Sequence, residues 1–272
     1  MKSLCLSATF VLCTFATITF DSRLSAQEIR SIELVYCKPG TFSMGSPMTE
    51  AGREDNEHQR RVTISRGFWI AKTEVTQSQW RAVMNTEHWK RNHSVPTGPN
   101  YPASYTSWVD AMDFCRKLTA QEHVAGRLEA DWEYTLPSEV QWEYACRAGT
   151  ATAFSFGNDP SLHGDYTRRG KDKDGNPIFF VRYAFRVATL KPNPWGLYDM
   201  HGSLSEWCRG FYESEADDPL NPVKESQVRL RVIRGGAWDC LPPSCRSAIR
   251  SNGTPKTRES FIGFRVVKVL AE

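Results

Sequence analysis

Two clusters in the 272-residue chain carry chemistry-bearing side chains at short spacing. The first is Cys240-Leu241-Pro242-Pro243-Ser244-Cys245. Two thiolates brought together form the soft ligand pair that selects Cu(I), and the same pair also suits a structural disulfide. The second is Asp199-Met200-His201-Gly202-Ser203-Leu204-Ser205-Glu206. Its two carboxylates, flanking backbone carbonyls and a glycine that permits the bend form a hard-oxygen set suited to Ca²⁺; an ordinary acidic turn is the plainer alternative. Other templates fail. Gly202-Ser203-Leu204-Ser205 lacks the G-x-S-x-G spacing of a nucleophile elbow, no glycine-rich phosphate loop follows a strand, and neither CxxC nor HExxH occurs, which excludes the usual zinc patterns. The six histidines (58, 88, 93, 123, 163 and 201) show no metal-ligand spacing.

The surrounding chain is ordinary globular material, 40% apolar and 24% charged, which argues against disorder, collagen and coiled coil. Net charge is +3 with both signs interspersed, so no nucleic-acid footprint is expected. The N-terminus differs. Lys2 precedes an apolar run from Leu4 to Phe20, and Leu24-Ser25-Ala26 offers a small residue before a cut. Residues 1–26 therefore read as a signal peptide of an exported, periplasmic or secreted protein with no membrane span left after cleavage; an uncleaved anchor is the alternative. Of eight cysteines, Cys37, Cys115, Cys146, Cys208, Cys240 and Cys245 remain after such a cut. An even count in an exported chain permits disulfides, with connectivity left open by the sequence.

These clusters need elements to position them. Short strand-like pieces fall at Ile32–Cys37, Thr41–Met44, Arg61–Ile64, Phe68–Ala71, Val228–Arg234 and Gly263–Leu270. Capping boxes at Thr76-Gln77-Ser78-Gln79 and Ser138-Glu139-Val140-Gln141 open two helices, to about Met84 and to Gly149, and Ser107 caps a third that runs to about Leu118. Long Gly-, Pro-, Asn- and Asp-rich stretches lie between them. The expected fold is α+β: one compact domain over 27–272 with little regular secondary structure. Nine tryptophans supply packing area for its loops.

Read in order, several segments resemble the sulfatase-modifying-factor family, the formylglycine-generating enzyme and its relatives. They are Gly40-Thr41-Phe42-Ser43-Met44-Gly45, Glu57-His58-Gln59-Arg60-Arg61-Val62, Phe68-Trp69-Ile70 and Thr73-Glu74-Val75-Thr76. Ser107-Trp108, Leu136-Pro137-Ser138-Glu139, Gln141-Trp142-Glu143-Tyr144-Ala145-Cys146-Arg147 and Gly196-Leu197-Tyr198-Asp199-Met200 follow. Glu206-Trp207, Arg234-Gly235-Gly236-Ala237-Trp238 and Gly263-Phe264-Arg265 complete the set, over about residues 33–268. The resemblance implies a fold remotely similar to C-type lectins. It implies a structural calcium at Asp199, Gly202, Leu204 and Glu206, the middle two through carbonyls, and a second calcium to which Asp165 and Tyr166, with Asp174 downstream, are the candidate match.

For the cysteines the resemblance implies two roles. Catalytic relatives bind copper through two cysteines after the Gly-Gly pair, and counting from Gly235-Gly236 places Cys240 and Cys245 there. Ala237, Leu241 and Ser244 depart from the catalytic Ser, His and Tyr, and the segment is about three residues short. A family disulfide instead joins the position of Cys146 to this region, and that long loop would be worth roughly 4.7 kcal/mol in the chain-entropy model against about 2 for a Cys240–Cys245 loop. Cys115 lacks its family partner, because Val266 stands there. Two functions are thereby expected. One is oxidation of a cysteine in an extended sulfatase peptide to formylglycine with O₂ and Cu(I); the other is a non-catalytic, calcium-stabilised binding or scaffold module for an extracytoplasmic ligand.

Overall fold

Three helix starts form as their capping boxes dictate. In this computed structural model, which describes residues 32–91, 95–167, 170–171, 177–178, 183–212 and 229–271, helix α1 (Gln77–Met84) is opened by reciprocal bonds between Thr76 and Gln79. Helix α2 (Trp108–Val124) is opened by Ser107 and Asp110, and α3 (Glu139–Arg147) by Ser138 and Gln141. Helix α2 runs one and a half turns past the expected Leu118, because no breaker occurs before Gly126, whose φ is +65°. The signal-peptide reading and Asp174 lie outside the described residues. Among the described residues no helix is long and apolar enough to cross a membrane.

Two four-stranded sheets carry the site. The first orders β1 (Leu34–Cys37), β4 (Phe68–Ala71), β12 (Val267–Leu270) and β5 (Trp132–Thr135), all antiparallel. The second orders β10 (Ser251–Gly253), β9 (Arg231–Arg234), β8 (Ser205–Phe211) and β11 (Ile262–Gly263), with β11 parallel to β8. A hairpin pairs β2 (Gly40–Met44) with β3 (Arg60–Ile64), and a small one pairs β6 (Gly170–Lys171) with β7 (Pro177–Ile178). The expected strand over Gly263–Leu270 is two, β11 and β12. Between them Arg265 leaves the ladder to bond the carbonyls of Ala71 and Tyr198 inside the protein.

One core packs Trp80, Phe114, Phe264 and Trp207 between α1, α2 and the second sheet, with the Trp80 and Phe114 rings stacked at 5.7 Å. Another packs Phe68, Ile70, Trp142, Cys146 and Val267 between α3 and the first sheet. Four arginines, at 147, 234, 246 and 265, are as deeply buried as Trp80, Trp89, Trp142 and Trp207. Each is tied to a buried carboxylate: Arg147 and Arg234 to Glu143, Arg246 to Glu57, and Arg265 to Glu206. Among the described residues, none of the six cysteines from Cys37 onward is bonded into a disulfide. Cys146 Sγ faces the Met200 carbonyl at 3.7 Å and the His201 ring, and Cys245 faces Cys240 instead.

Candidate functional site

The carboxylate loop leaves the Asn193 turn, where the Asn193 side chain donates to the Ala145 carbonyl at 2.8 Å, and ends by entering β8 at Ser205. Its wrap needs left-handed backbone at Asp199 (φ +62°), Gly202 (φ +143°) and Ser203 (φ +69°). Gly202 is the position where only glycine fits, since a Cβ there would stand 2.5 Å from Thr167 Cγ2. The Thr167 hydroxyl donates to the His201 carbonyl at 2.8 Å and closes the loop from outside.

Of the two expected calcium carboxylates, Glu206 is already committed. It accepts two bonds of 2.7 Å from Arg265 and one of 2.8 Å from Trp142 Nε1. Asp199 accepts from the Ala188 amide at 2.9 Å, and desolvation, with Glu206 nearby, pushes its carboxyl up to about 6 against the pull of Ala188 and Arg265. A third carboxylate stands beside them. Glu74 is buried, its Oε1 accepts from the Leu204 amide at 3.2 Å, and its Oε2 has no hydrogen-bond partner. Burial first, then the charges of Asp199 and Glu206, raise it well above the usual carboxylate range despite Arg265 and Ser203. Three carboxylates share one arginine, and the unpaired buried oxygen of Glu74 is one that a cation or a water could satisfy. The residues therefore fit a hard cation held by Asp199, Glu74 and the carbonyls of Gly202 and Leu204, with Glu206 orienting through Arg265. Among the described residues no three His, Cys, Asp or Glu side chains converge as a metal cluster, so the carbonyls would have to complete the set.

The second expected calcium position is arranged differently. Asp165, in the short helix α4 (His163–Tyr166), has its carboxylate 2.8 Å from Lys191 Nζ, and its carbonyl accepts from the Lys191 amide at 3.0 Å. The Tyr166 ring stacks on Phe156 at 4.3 Å. In this arrangement the Asp165 carboxylate is paired with the exposed Lys191 ammonium.

The thiols sit on the turn after β9. Gly235 (φ +97°) and Gly236 (φ +70°) carry the chain past the Cys245 side chain; a Cβ on Gly236 would lie 2.6 Å from Cys245 Sγ and 2.4 Å from the Ser244 carbonyl. The turn Pro242–Cys245 then brings the Cys245 thiol within hydrogen-bonding reach of Cys240. That bond lowers the Cys240 thiol below its ordinary value, against desolvation and the Asp239 carboxylate. Elsewhere burial does the opposite: it pushes Cys37 and Cys146 up to about 12 and raises Cys115 and Cys208 as well. Cys240 is partly exposed and Cys245 fully buried, so the pair has one reactive, reachable sulfur. Below it, the His201 imidazole bonds the Cys245 carbonyl at 2.9 Å.

Of the residues that the sequence singles out, Cys240, Cys245, Asp199 and Glu206 are gathered on two adjacent loops joined by the bond from the Trp238 amide to the Ser203 carbonyl at 2.9 Å. Glu74, Lys191 and His201, which stand beside them or beside Asp165, were not singled out as ligands. Glu74 was visible only as part of Thr73-Glu74-Val75-Thr76, and nothing in the sequence announces a contact to residue 204.

A mixed α/β domain with few helices, short sheets, a wrapped carboxylate loop and an adjoining thiol turn defines the class. The sulfatase-modifying factor enzyme 1-like domain matches residues 21–270, and the chain belongs to this family. It is 28% identical to the mouse formylglycine-generating enzyme over 86% of this chain and 74% of that one. It is 34% identical to the serine/threonine-protein kinase Pkn1 of Chlamydia trachomatis, over 87% of this chain and 38% of the kinase. The chain spans only 20% of the Chlamydia pneumoniae kinase pkn1 and 51% of the bovine formylglycine-generating enzyme. It is also 26% identical to the chaperone protein LppX of Paenibacillus barcinonensis. Among solved structures, PvdO from Pseudomonas aeruginosa superposes with a TM-score of 0.69 at 25% identity, covering 87% of this chain and 94% of that one.

Proposed function

We propose that this protein is an exported oxidase of the formylglycine-generating type, acting on a cysteine in an extended sulfatase peptide. The observation that carries the reading is the thiol pair: Cys240 and Cys245 stand within reach of each other, and Cys240 alone among the cysteines with resolved shifts is biased toward the thiolate. Two thiolates on a tight turn suit Cu(I), and copper held there would supply one-electron activation of O₂. In the overall change the substrate Cβ–S bond breaks and Cβ becomes an aldehyde. O₂ takes two electrons from the cysteine and two from an external thiol reductant, and sulfide, water and a disulfide leave. Cys245 anchors the pair from the interior, while Cys240 faces the incoming peptide. Ca²⁺ at Asp199, Glu74, Gly202 and Leu204 would hold the loop on which the thiol turn rests.

A second reading, a calcium-stabilised binding or scaffold module for an extracytoplasmic ligand, is favoured by Ala237. This residue is buried and apolar where the resemblance places a catalytic serine. Incubating the protein with a cysteine-containing sulfatase peptide, Cu(I), O₂ and a thiol reductant separates the two. The oxidase reading expects aldehyde formation that Cys240→Ala and Cys245→Ala each abolish. Equal aldehyde yield from either variant would overturn it.

A further inference from the structure

The imidazole of His201 lies in the carboxylate loop but points away from the carboxylates, beneath the thiol turn. Its Nε2 receives the Ser155 amide at 3.0 Å and lies 2.9 Å from the Ser155 hydroxyl. A backbone amide can only donate, so Nε2 is the acceptor and the ring proton sits on Nδ1. Nδ1 must then donate to the Cys245 carbonyl, 2.9 Å away. The ring cannot swing: the Phe154 and Phe156 rings meet it edge-on at 5.5 and 5.4 Å, and Cys146 Sγ touches it at 3.8 Å. Its backbone is equally fixed, with the His201 carbonyl accepting from Thr167 at 2.8 Å and from His163 Nε2 at 2.7 Å.

We infer that His201 is the positioning residue of the thiol pair: its Nδ1–H pins the Cys245 carbonyl and so sets the direction in which the Cys245 sulfur meets Cys240. Two further constraints converge on the same turn. Gly236 leaves no free space beside Cys245 Sγ, and the Trp238 amide is tied to Ser203 two residues beyond His201. One end of the turn is thus held through Trp238 and the other through Cys245. Because Nε2 already accepts from the Ser155 amide, the ring has no free lone pair to take a proton, and it acts by hydrogen bonding.

The inference rests on reading Cys240 and Cys245 as a working thiol pair, and the experiment separates the two. Reduced protein is titrated with Cu(I) against a chromophoric chelator, a readout in which nothing larger than the ion has to reach the buried Cys245; Cys240→Ala supplies the blank. His201→Phe keeps an aromatic ring and loses both bonds, while His201→Asn keeps one donor and one acceptor. With folding checked by a cooperative melt, His201→Phe is expected to hold Cu(I) about tenfold more weakly than wild type, the scale of one lost hydrogen bond, and His201→Asn to recover most of that affinity. A role in stability alone would lower the melting temperature of both variants and leave the Cu(I) affinity unchanged, which would overturn the inference. Absence of Cu(I) uptake by the wild type would instead remove the thiol-pair reading, and the inference with it. A second measurement needs no variant: the imidazole ¹⁵N spectrum of the wild type must show the proton on Nδ1 of His201, and a proton on Nε2 would contradict the assignment.

Discussion

Glu74 offers the sharpest test of the carboxylate loop, because its substitution changes sign with the metal. In Glu74→Gln the amide oxygen can still accept from Leu204, 3.2 Å away, while the formal charge beside Asp199 and Glu206 disappears. An unsatisfied buried polar atom costs about 1–3 kcal/mol, more when charged. Without metal, the variant should therefore be as stable as wild type or more so. With Ca²⁺ the order reverses. At a hundred times Kd a ligand adds about 2.7 kcal/mol, and at about 2–4 °C per kcal/mol for a domain of this size the wild type gains about 5–10 °C. Loss of one anionic ligand, at about tenfold in Kd, halves that gain to about 1.4 kcal/mol. Melting curves of both proteins in chelator and in Ca²⁺ give the four numbers needed. A variant less stable in chelator that keeps the full calcium shift would refute the assignment of Glu74 as the charge awaiting a cation.

Three other outcomes follow from the same geometry. Glu206→Gln leaves Arg265 buried without its bidentate partner, so thermal unfolding should show a loss of about 3–5 kcal/mol, with or without Ca²⁺. Gly236→Ala forces a Cβ against the Ser244 carbonyl at positive φ; it should destabilise by about 1–3 kcal/mol in urea titration and weaken Cu(I) uptake by the thiols. Burial alone would raise Glu57 and Glu139, but bonds and charge from Arg246 and from Arg234 and Arg250 prevail and lower both below 4.5. Their stabilisation is present above that pH and is lost as pH falls through the folded values. Urea midpoints measured from pH 6 down to pH 3 should fall, and Glu57→Gln should flatten part of the slope.

Local signals were legible because they are local. Thr76, Ser107 and Ser138 announce their helices through residues three positions on, and the Gly-Gly pair announces the tight turn before Cys240. What the sequence hides is long-range. Arg265 and Glu206 are 59 positions apart and read as surface charges, and Glu57 and Arg246 are separated by 189. The loops are held by these buried ion pairs as well as by the tryptophans that composition pointed to. Strand β8 begins inside the expected calcium loop, so Glu206 serves as a ladder residue opposite Arg234 as well as a site residue. Lys191 reaches Asp165 across 26 positions, which spacing rules cannot anticipate.

The proposal that Cys240 and Cys245 form one soft-metal site is decided by titrating the reduced protein with Cu(I) against a chromophoric chelator, after counting free thiols. Expected are six reactive thiols in denatured, reduced protein that begins after Ala26, and one tightly held Cu(I) per protein, lost in Cys240→Ala and in Cys245→Ala. Failure of the reduced wild type to take up Cu(I), or uptake undiminished in both variants, would contradict it.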